Sequence, residues 1–535
     1  MTELWRIPDN YSRSQLVRKA VVPTRGGVVA AQHRRAAEAG AAVLEAGGDA
    51  IDAAVATSFA IGVVEPWMSG PAAGGAMVVW RAAERKAYVI DYGMRSPREL
   101  DPADYPLEPS RRNTDLFPWP GVRDDRNVHG ATAVAVPGVV AGMGLAHERF
   151  GRLPWGDLLT GAIALADEGL LVDWYSGLVM ASNARMLAKD PDAARMFLDD
   201  GQWPIIGNWT ALTERHLDQG AHAATLRRIA EKGAREFYVG DVARALVKDV
   251  RAKGGSLSEA DLAQYRAEII EPLRIPYRRA TLYATPGLTG GPTFARCVQA
   301  LERTFAPRAG MPGRESYLAY ARALDEAFRV RLTDMGDIDG AQKDARAPTC
   351  TTHFSVVDRH GNLCAVTQTL LSIFGSRVVS PSTGFLLNNG IMWFDPEPGK
   401  PNSLGPNKRC LCNYNPIVGE IADGRRFALG ASGGRKILGT VLQISSFMID
   451  HGMTLEQAFH QPRIDMSGGD TLIADRSLAP ETLDALAAAF KTVAAPRTVF
   501  PYAFACPAGV LREDDMNTGC TEIMSPWGDA ISERA

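Results

Sequence analysis

Two threonines, Thr351 and Thr369, stand at the open end of what reads as a single β-hairpin. Thr351-Thr352-His353-Phe354-Ser355-Val356-Val357-Asp358 and Leu363-Cys364-Ala365-Val366-Thr367-Gln368-Thr369 are rich in β-branched residues, and Arg359-His360-Gly361-Asn362 between them reads as a four-residue turn. If Asp358 faces Leu363, Thr351 lies opposite Leu370, and Thr369 falls within about one residue of the first strand's beginning. Two hydroxyls then meet at the strand edge. A threonine hydroxyl is a poor nucleophile unless a base lies beside it, and the nearest base is its own α-amine, freed if the Cys350–Thr351 peptide bond is cut. Such an amine titrates at about 7.7–8.0, which suits proton shuttling at neutral pH. The Thr369 hydroxyl can orient it. A hairpin rich in threonine is by itself only a good strand former.

A second feature adds weight. Leu429-Gly430-Ala431-Ser432-Gly433-Gly434-Arg435 closes a strand (Arg426 to Leu429) in a glycine pair, and a helical pattern follows from Ile437 to Ile449. Amide groups at such a strand-to-helix turn can converge on one spot and stabilise an oxyanion.

The elements around these residues can be read coarsely. Residues 28 to 33 form a short strand-like run, and Arg34 to Ala46 is an alanine-rich helix stopped by Gly47-Gly48. Asp49 caps a second helix, from Ala50 to about Ile61, that is apolar on nearly every side and should be buried. It ends near Glu65-Pro66. A loop of small residues, 69–76, leads to a strand at Met77 to Trp80. The stretch from about 130 to 270 looks mainly helical, as does Tyr317 to Leu332. Residues 334–350 are polar and read as an exposed loop, after which the chain becomes strand-rich.

Bulk properties exclude several classes. The 535 residues carry a formal charge of -3, 46% hydrophobic and 22% charged residues, as in ordinary globular proteins. There is no basic patch for nucleic acid, no apolar run long enough for a bilayer and no secretory signal, so cytoplasmic residence is the expectation. The seven cysteines are read as reduced thiols. Cys410-Leu411-Cys412 has no further ligands at metal spacing, so no metal site is expected.

Several motifs occur in a fixed order. They are Thr351-Thr352-His353-Phe354-Ser355-Val356-Val357-Asp358, Gly384-Phe385-Leu386-Leu387-Asn388-Asn389, Gly405-Pro406-Asn407-Lys408-Arg409 and Ala431-Ser432-Gly433-Gly434. Together with Leu44 to Ala56 and Val64-Glu65-Pro66 they resemble the γ-glutamyltranspeptidase family over about residues 27–465. The resemblance implies an α/β fold, the four-layer αββα sandwich of N-terminal nucleophile hydrolases. It implies autocatalytic cleavage before Thr351, giving an α chain (1–350) and a β chain (351–535) that stay together as one intertwined domain. Thr351 would attack an amide to form an acyl-enzyme, Thr369 would support it, and the Gly433 and Gly434 amides would hold the oxyanion. A small-molecule amide is the implied substrate, no cofactor is required, and αβ units could pair as dimers.

The departures from the family pattern concern the substrate. Where γ-glutamyl enzymes place an arginine for the donor's α-carboxylate, this chain has Gly93, with Arg95 two residues on. The asparagine expected after Thr369 is Leu371, the aspartate for the donor's ammonium is Trp393, and the serine pair is Cys412-Asn413. A pocket so changed should disfavour a zwitterionic glutamyl donor, whose ammonium would be desolvated without a partner. The pattern resembles the branch that includes cephalosporin (glutaryl) acylases and oxamate amidohydrolase, with a small or dicarboxylic acyl group expected and Arg95 as a candidate for its carboxylate. Two other readings stand beside this one: a γ-glutamyl hydrolase or transferase, and an uncleaved binding protein that keeps the fold without catalysis.

Overall fold

In a computed structural model of the chain, residues 17–112, 119–207, 214–308, 310–334, 351–500 and 502–534 are described. Cys350, and most of the loop expected at 334–350, lie outside them.

Two antiparallel sheets carry the molecule. The first has seven strands in the order Glu268–Ile270, Lys86–Tyr92, Gly74–Arg81, Leu363–Thr369, Thr352–Val357, Val28–Ala31 and Asp529–Ser532. The second has six, in the order Leu273–Tyr277, Ala280–Ala284, Ile417–Ile421, Arg426–Ser432, Cys506–Glu513 and Met516–Thr521. The sheets pack face to face, with strand Thr352–Val357 lying against Arg426–Ser432 and Cys506–Glu513. The layer between them is built from Val28, Ala30, Val78, Trp80, Val89, Val357, Ala365, Val418, Ala428 and Val510, all buried.

The outer faces are covered by helices. Arg34–Glu45 and Ala50–Val64 cover the first sheet. Gly291–Thr304 and Lys436–Ile449 cover the second, and Arg314–Asp334 packs against both of them. Three apolar interfaces between four layers make the αββα sandwich that the motifs implied.

Burial on both faces explains why the central strands lack clean alternation: every residue of Thr352–Val357 and Leu363–Thr369 is buried. The apolar helix is likewise buried along all its length and runs one turn further than expected, to Val64. Asp49 caps it with a reciprocal bond to Asp52, and Pro66 forbids continuation. The first strand ends at Ala31, short of the expected residue 33. The hairpin register also differs from the expected one. Val357, not Asp358, faces Leu363, because Asp358 belongs to the turn. Its N–H donates to the Asn362 carbonyl, and its carboxylate accepts from the amides of His360 and Asn362.

Among the described residues no helix is long and apolar enough to cross a membrane.

Candidate active site

The observed register pairs Thr352 with Gln368, so Thr351, one residue before the strand, comes level with Thr369 rather than Leu370. The consequence is direct contact: Thr351 Oγ1 donates to Thr369 Oγ1 at 3.4 Å, and both residues are almost fully buried. Gln368 locks this end of the hairpin to the buried helix. Its Oε1 accepts from the Ser58 hydroxyl at 2.7 Å and its Nε2 donates to Ser69 Oγ at 2.6 Å.

Leu371 has a place the sequence does not suggest. Its backbone takes a left-handed φ of 89°, a conformation that costs a branched residue about 1–3 kcal/mol. That conformation aims its N–H at Thr369 Oγ1, 2.8 Å away. The amide thus occupies one acceptor position of the hydroxyl that Thr351 touches, while the leucine side chain enters an apolar cluster. Asn388 and Asn389 brace the same loop. Asn388 accepts from the amides of Ala135 and Gly390 and donates to the carbonyls of Ala72 and Ala135. Asn389 accepts from the Ser372 amide at 3.0 Å.

The glycine pair closes strand Arg426–Ser432 as expected, three residues later than the strand was first read. Gly433 has φ 131° and Gly434 φ 57°. A Cβ at Gly433 would come within 2.9 Å of Ala505 Cα, so only glycine fits. The two carbonyls accept from the amides of Lys436 and Ile437. Their own N–H groups have no partner among the described residues, which is the arrangement an oxyanion hole requires.

Gln32 ties this turn to strand Thr352–Val357. Its Nε2 donates to Ser432 Oγ at 2.6 Å and to the Cys506 carbonyl at 2.9 Å, and its Oε1 lies 3.4 Å from Thr352 Oγ1. Thr352 Oγ1 also lies within hydrogen-bond distance of Glu65 Oε2, at 3.0 Å. Burial pushes the Glu65 carboxyl up to about 8, with the Thr352 bond opposing it. Between the sheets the same strand carries His353, whose ring bonds Thr367 and Ser355 and is kept neutral, its pKa pushed down to about 3 by burial.

The residues expected to contact the substrate separate into three groups. Leu371, Trp393 and Cys412 come together in a buried cluster with Met94, Trp119, Met392 and Tyr414. The Trp393 indole N–H has no hydrogen-bond partner among the described residues. Asn413 stands apart: its Oδ1 accepts from Arg331 Nη2 at 3.0 Å, leaving Nδ2 without a partner among the described residues. Arg331 is itself 2% exposed and is held by neutral acceptors, the carbonyls of Thr289 and Cys412 and the Thr293 hydroxyl. Burial lowers its guanidinium to about 10.

Arg95 is the third, half-buried, with Nη1 donating to the Asn407 carbonyl at 3.5 Å. The space a side chain at Gly93 would enter is taken by the Tyr414 hydroxyl, 2.7 Å from the would-be Cβ, and by Arg409 Nη1 at 3.3 Å. Arg409 is paired with Asp91 at 2.8 Å.

Sequence reasoning missed Gln32, Glu65, Thr352, Arg331 and Tyr414. The visible signal for one of them was a carboxylate at the end of an otherwise apolar helix. Cys410 and Cys412 direct their sulfurs at backbone carbonyls of Gly390 and Cys410. Among the described residues no group of three His, Cys, Asp or Glu side chains is arranged to hold a metal.

Comparison with known proteins agrees with the ordered motifs. The family model described as Gamma-glutamyltranspeptidase matches residues 36–347 and 339–505. The Acylase ACY 1 proenzyme of Pseudomonas sp. (strain V22) is 34% identical over 504 residues, covering 88% of each chain. The Glutathione hydrolase proenzyme of Bacillus subtilis (strain 168) is 30% identical over 83% of this chain and 81% of its own. In three dimensions the chain superposes on cephalosporin acylase from Bacillus halodurans with a TM-score of 0.83 at 24% identity, covering 99% of this chain and 100% of that one, a likeness of fold. On its motifs, its sandwich and the match along both halves, the chain belongs to the gamma-glutamyltranspeptidase family.

Proposed function

We propose that this protein is a self-processing amidohydrolase of the N-terminal nucleophile type, acting on a linear amide whose acyl group is not an ordinary γ-glutamyl one. Two of its relatives carry the word proenzyme in their names, one an acylase and one a glutathione hydrolase, and the acylase is the more similar, at 34% against 30%. Cleavage of the Cys350–Thr351 bond yields an α chain, 1–350, and a β chain, 351–535, that remain associated. The observation that carries the reading is the buried Thr351–Thr369 contact at the start of the hairpin ladder, joined through Thr352 and Gln32 to a glycine turn whose two amides have no partner among the described residues.

In the reaction, the freed α-amine of Thr351 takes the hydroxyl proton as Oγ1 adds to the amide carbonyl. Thr369, fixed by the Leu371 amide, orients the attacking oxygen. The amides of Gly433 and Gly434 stabilise the developing oxyanion. Collapse expels the amine, which leaves with that proton, and water then hydrolyses the ester to regenerate Thr351.

We assign acyl recognition to the buried Leu371, Trp393 and Cys412 cluster, with Asn413 following Cys412 in the sequence. A γ-glutamyl donor would bring an ammonium to Trp393, and its α-carboxylate would lack the arginine that Gly93 replaces, the space for a side chain there being taken by Tyr414 and Arg409. A small or dicarboxylic acyl group avoids the first conflict, and Arg95, next in sequence to Met94 of the cluster, is the candidate for a distal carboxylate. We retain pairing of αβ units as dimers and a cytoplasmic setting as parts of the proposal, to be tested by sedimentation and cell fractionation.

Incubating the processed protein with a panel of amides and weighing the β chain tests the reading: an acyl adduct on Thr351 from a non-glutamyl donor supports it. Normal release of p-nitroaniline from a γ-glutamyl anilide would favour the γ-glutamyl alternative. A Thr351→Ala chain that still splits into two bands would show that the nucleophile is elsewhere.

A further inference from the structure

One buried carboxyl near the nucleophile has no part in the chemistry just described. Glu65 closes the helix Ala50–Val64, is 4% exposed, and has its Oε2 3.0 Å from the hydroxyl of Thr352, the residue next to the nucleophile. Thr352 is the last residue held by the strand ladder. Once the Cys350–Thr351 bond is cut, Thr351 becomes a chain end, and Thr352 is its nearest fixed point. Whatever orients the Thr352 side chain therefore orients the nucleophile.

We propose that Glu65 is a positioning residue that acts in its protonated form: its carboxyl proton orders a hydrogen-bond relay through Thr352 and Gln32 to Ser432, which holds Thr351 in register with the glycine turn. The proposal rests on the Thr351 reading above.

Thr352 Oγ1 has a single proton but lies near two acceptors, Glu65 Oε2 at 3.0 Å and Gln32 Oε1 at 3.4 Å. If Glu65 is ionised, the hydroxyl proton must go to the carboxylate, and Gln32 Oε1 then meets only a lone pair. If Glu65 is protonated, it donates to Thr352 Oγ1, Thr352 donates to Gln32 Oε1, and Gln32 Nε2 donates to Ser432 Oγ and the Cys506 carbonyl. Only the second arrangement supplies a proton to each of these four contacts. It also links the residue after the nucleophile to the residue before Gly433 through one rigid amide.

The surroundings favour the protonated form. The titratable groups facing Glu65 from other elements are Tyr175, Tyr502 and Cys506, and burial pushes each of them up, so all are neutral. Lys436 donates to the Tyr502 carbonyl, and no cation bonds the Glu65 carboxyl among the described residues. Burial without a compensating charge holds the carboxyl at about 8.

The test uses the full-length chain after processing, with Glu65→Gln, Glu65→Leu and Thr352→Val compared for self-cleavage, kcat, KM and the pH dependence of kcat. Glutamine keeps the donor to Thr352 but cannot ionise. Wild type should lose about tenfold in kcat for each pH unit above the Glu65 ionisation, whereas Glu65→Gln should hold its kcat within about twofold over the same range. Glu65→Leu and Thr352→Val should lower kcat at least about tenfold at neutral pH with KM changed less than about threefold. If a variant fails to accumulate, the remaining two decide. An alkaline fall in Glu65→Gln equal to that of wild type, or a Glu65→Leu protein as active as wild type, overturns the role of Glu65. Absence of a processed wild type or of an acyl adduct on Thr351 would instead sink the underlying reading, so the two failures are distinguishable.

Discussion

At the scale of single residues, the site consists of two hydroxyls whose mutual geometry is set by a backbone. Thr369 does not need a base of its own, since the Leu371 amide pins its oxygen at 2.8 Å and Thr351 meets it at 3.4 Å. Thr369→Val keeps the shape but removes the oriented oxygen, so kcat should fall about 10²-fold with KM within about threefold, measured on whichever amide acylates Thr351. An equal drop in processing rate is expected, because the same hydroxyl is displaced. Substrate choice is a matter of single residues too. Trp393 stands where the resemblance places an ammonium partner, and its ring sits in an apolar cluster with Leu371 and Tyr414. Trp393→Asp should therefore raise kcat/KM for a γ-glutamyl anilide by about tenfold and lower it for the native acyl class. If γ-glutamyl turnover does not rise, Gly93, where Tyr414 and Arg409 crowd out a carboxylate clamp, is the stronger barrier.

At the scale of elements, the hairpin is held by what lies above and below it. His353 projects into the layer between the sheets, where its ring lies 2.3–2.9 Å from the position a Cβ on Gly430 would occupy. Gly430→Ala must push the ring off its bonds to Thr367 and Ser355, and should destabilise the chain by about 1–3 kcal/mol, read from the denaturant midpoint. This layering also decides what the sequence could reveal. The helix Ala50–Val64 was legible because Asp49 caps it, Pro66 stops it and its residues are apolar on all sides. The hairpin was legible from its β-branched runs, but its register slipped by one because Asp358 looks like a strand end and acts as the turn's hydrogen-bond anchor. Gln32, Glu65 and Arg331 were not legible as site residues. They reach Thr352 and Asn413 across long separations in the chain, and nothing local to a lone Gln, Glu or Arg announces such a partner.

At the scale of the whole molecule, the proposed cut at Thr351 does not fall between two bodies. In the first sheet, Thr352–Val357 lies between Val28–Ala31 on one side and Leu363–Thr369 on the other, and Leu363–Thr369 in turn pairs with Gly74–Arg81. In the second, Ala280–Ala284 pairs with Ile417–Ile421. Strands from before and after the cut thus pair within both sheets, and separating them would expose ladder hydrogen bonds and the apolar layer between the sheets. The α and β chains should therefore run as one species in native sedimentation and part only with global unfolding, showing a single transition by two probes. The pH dependence of that transition follows from buried groups. His353 and His222 are both buried, with pKa values pushed down by desolvation to about 3 and about 4. For a base whose folded pKa is depressed, stability is full above its ordinary value near 6.5 and is lost as pH falls toward the folded value, by up to about 1.4 kcal/mol per pH unit for each histidine. Glu65 acts in the opposite sense: its folded value is raised from 4.5 to about 8, so its contribution is present below 4.5 and is lost as pH rises to 8. Denaturant midpoints taken from pH 4 to 9 should accordingly fall on the acid side in the wild type, and His222→Asn should flatten that acid slope. On the alkaline side, Glu65→Gln should remove the fall between pH 6.5 and 8, and a wild type whose midpoint does not fall there would show that Glu65 is ionised throughout.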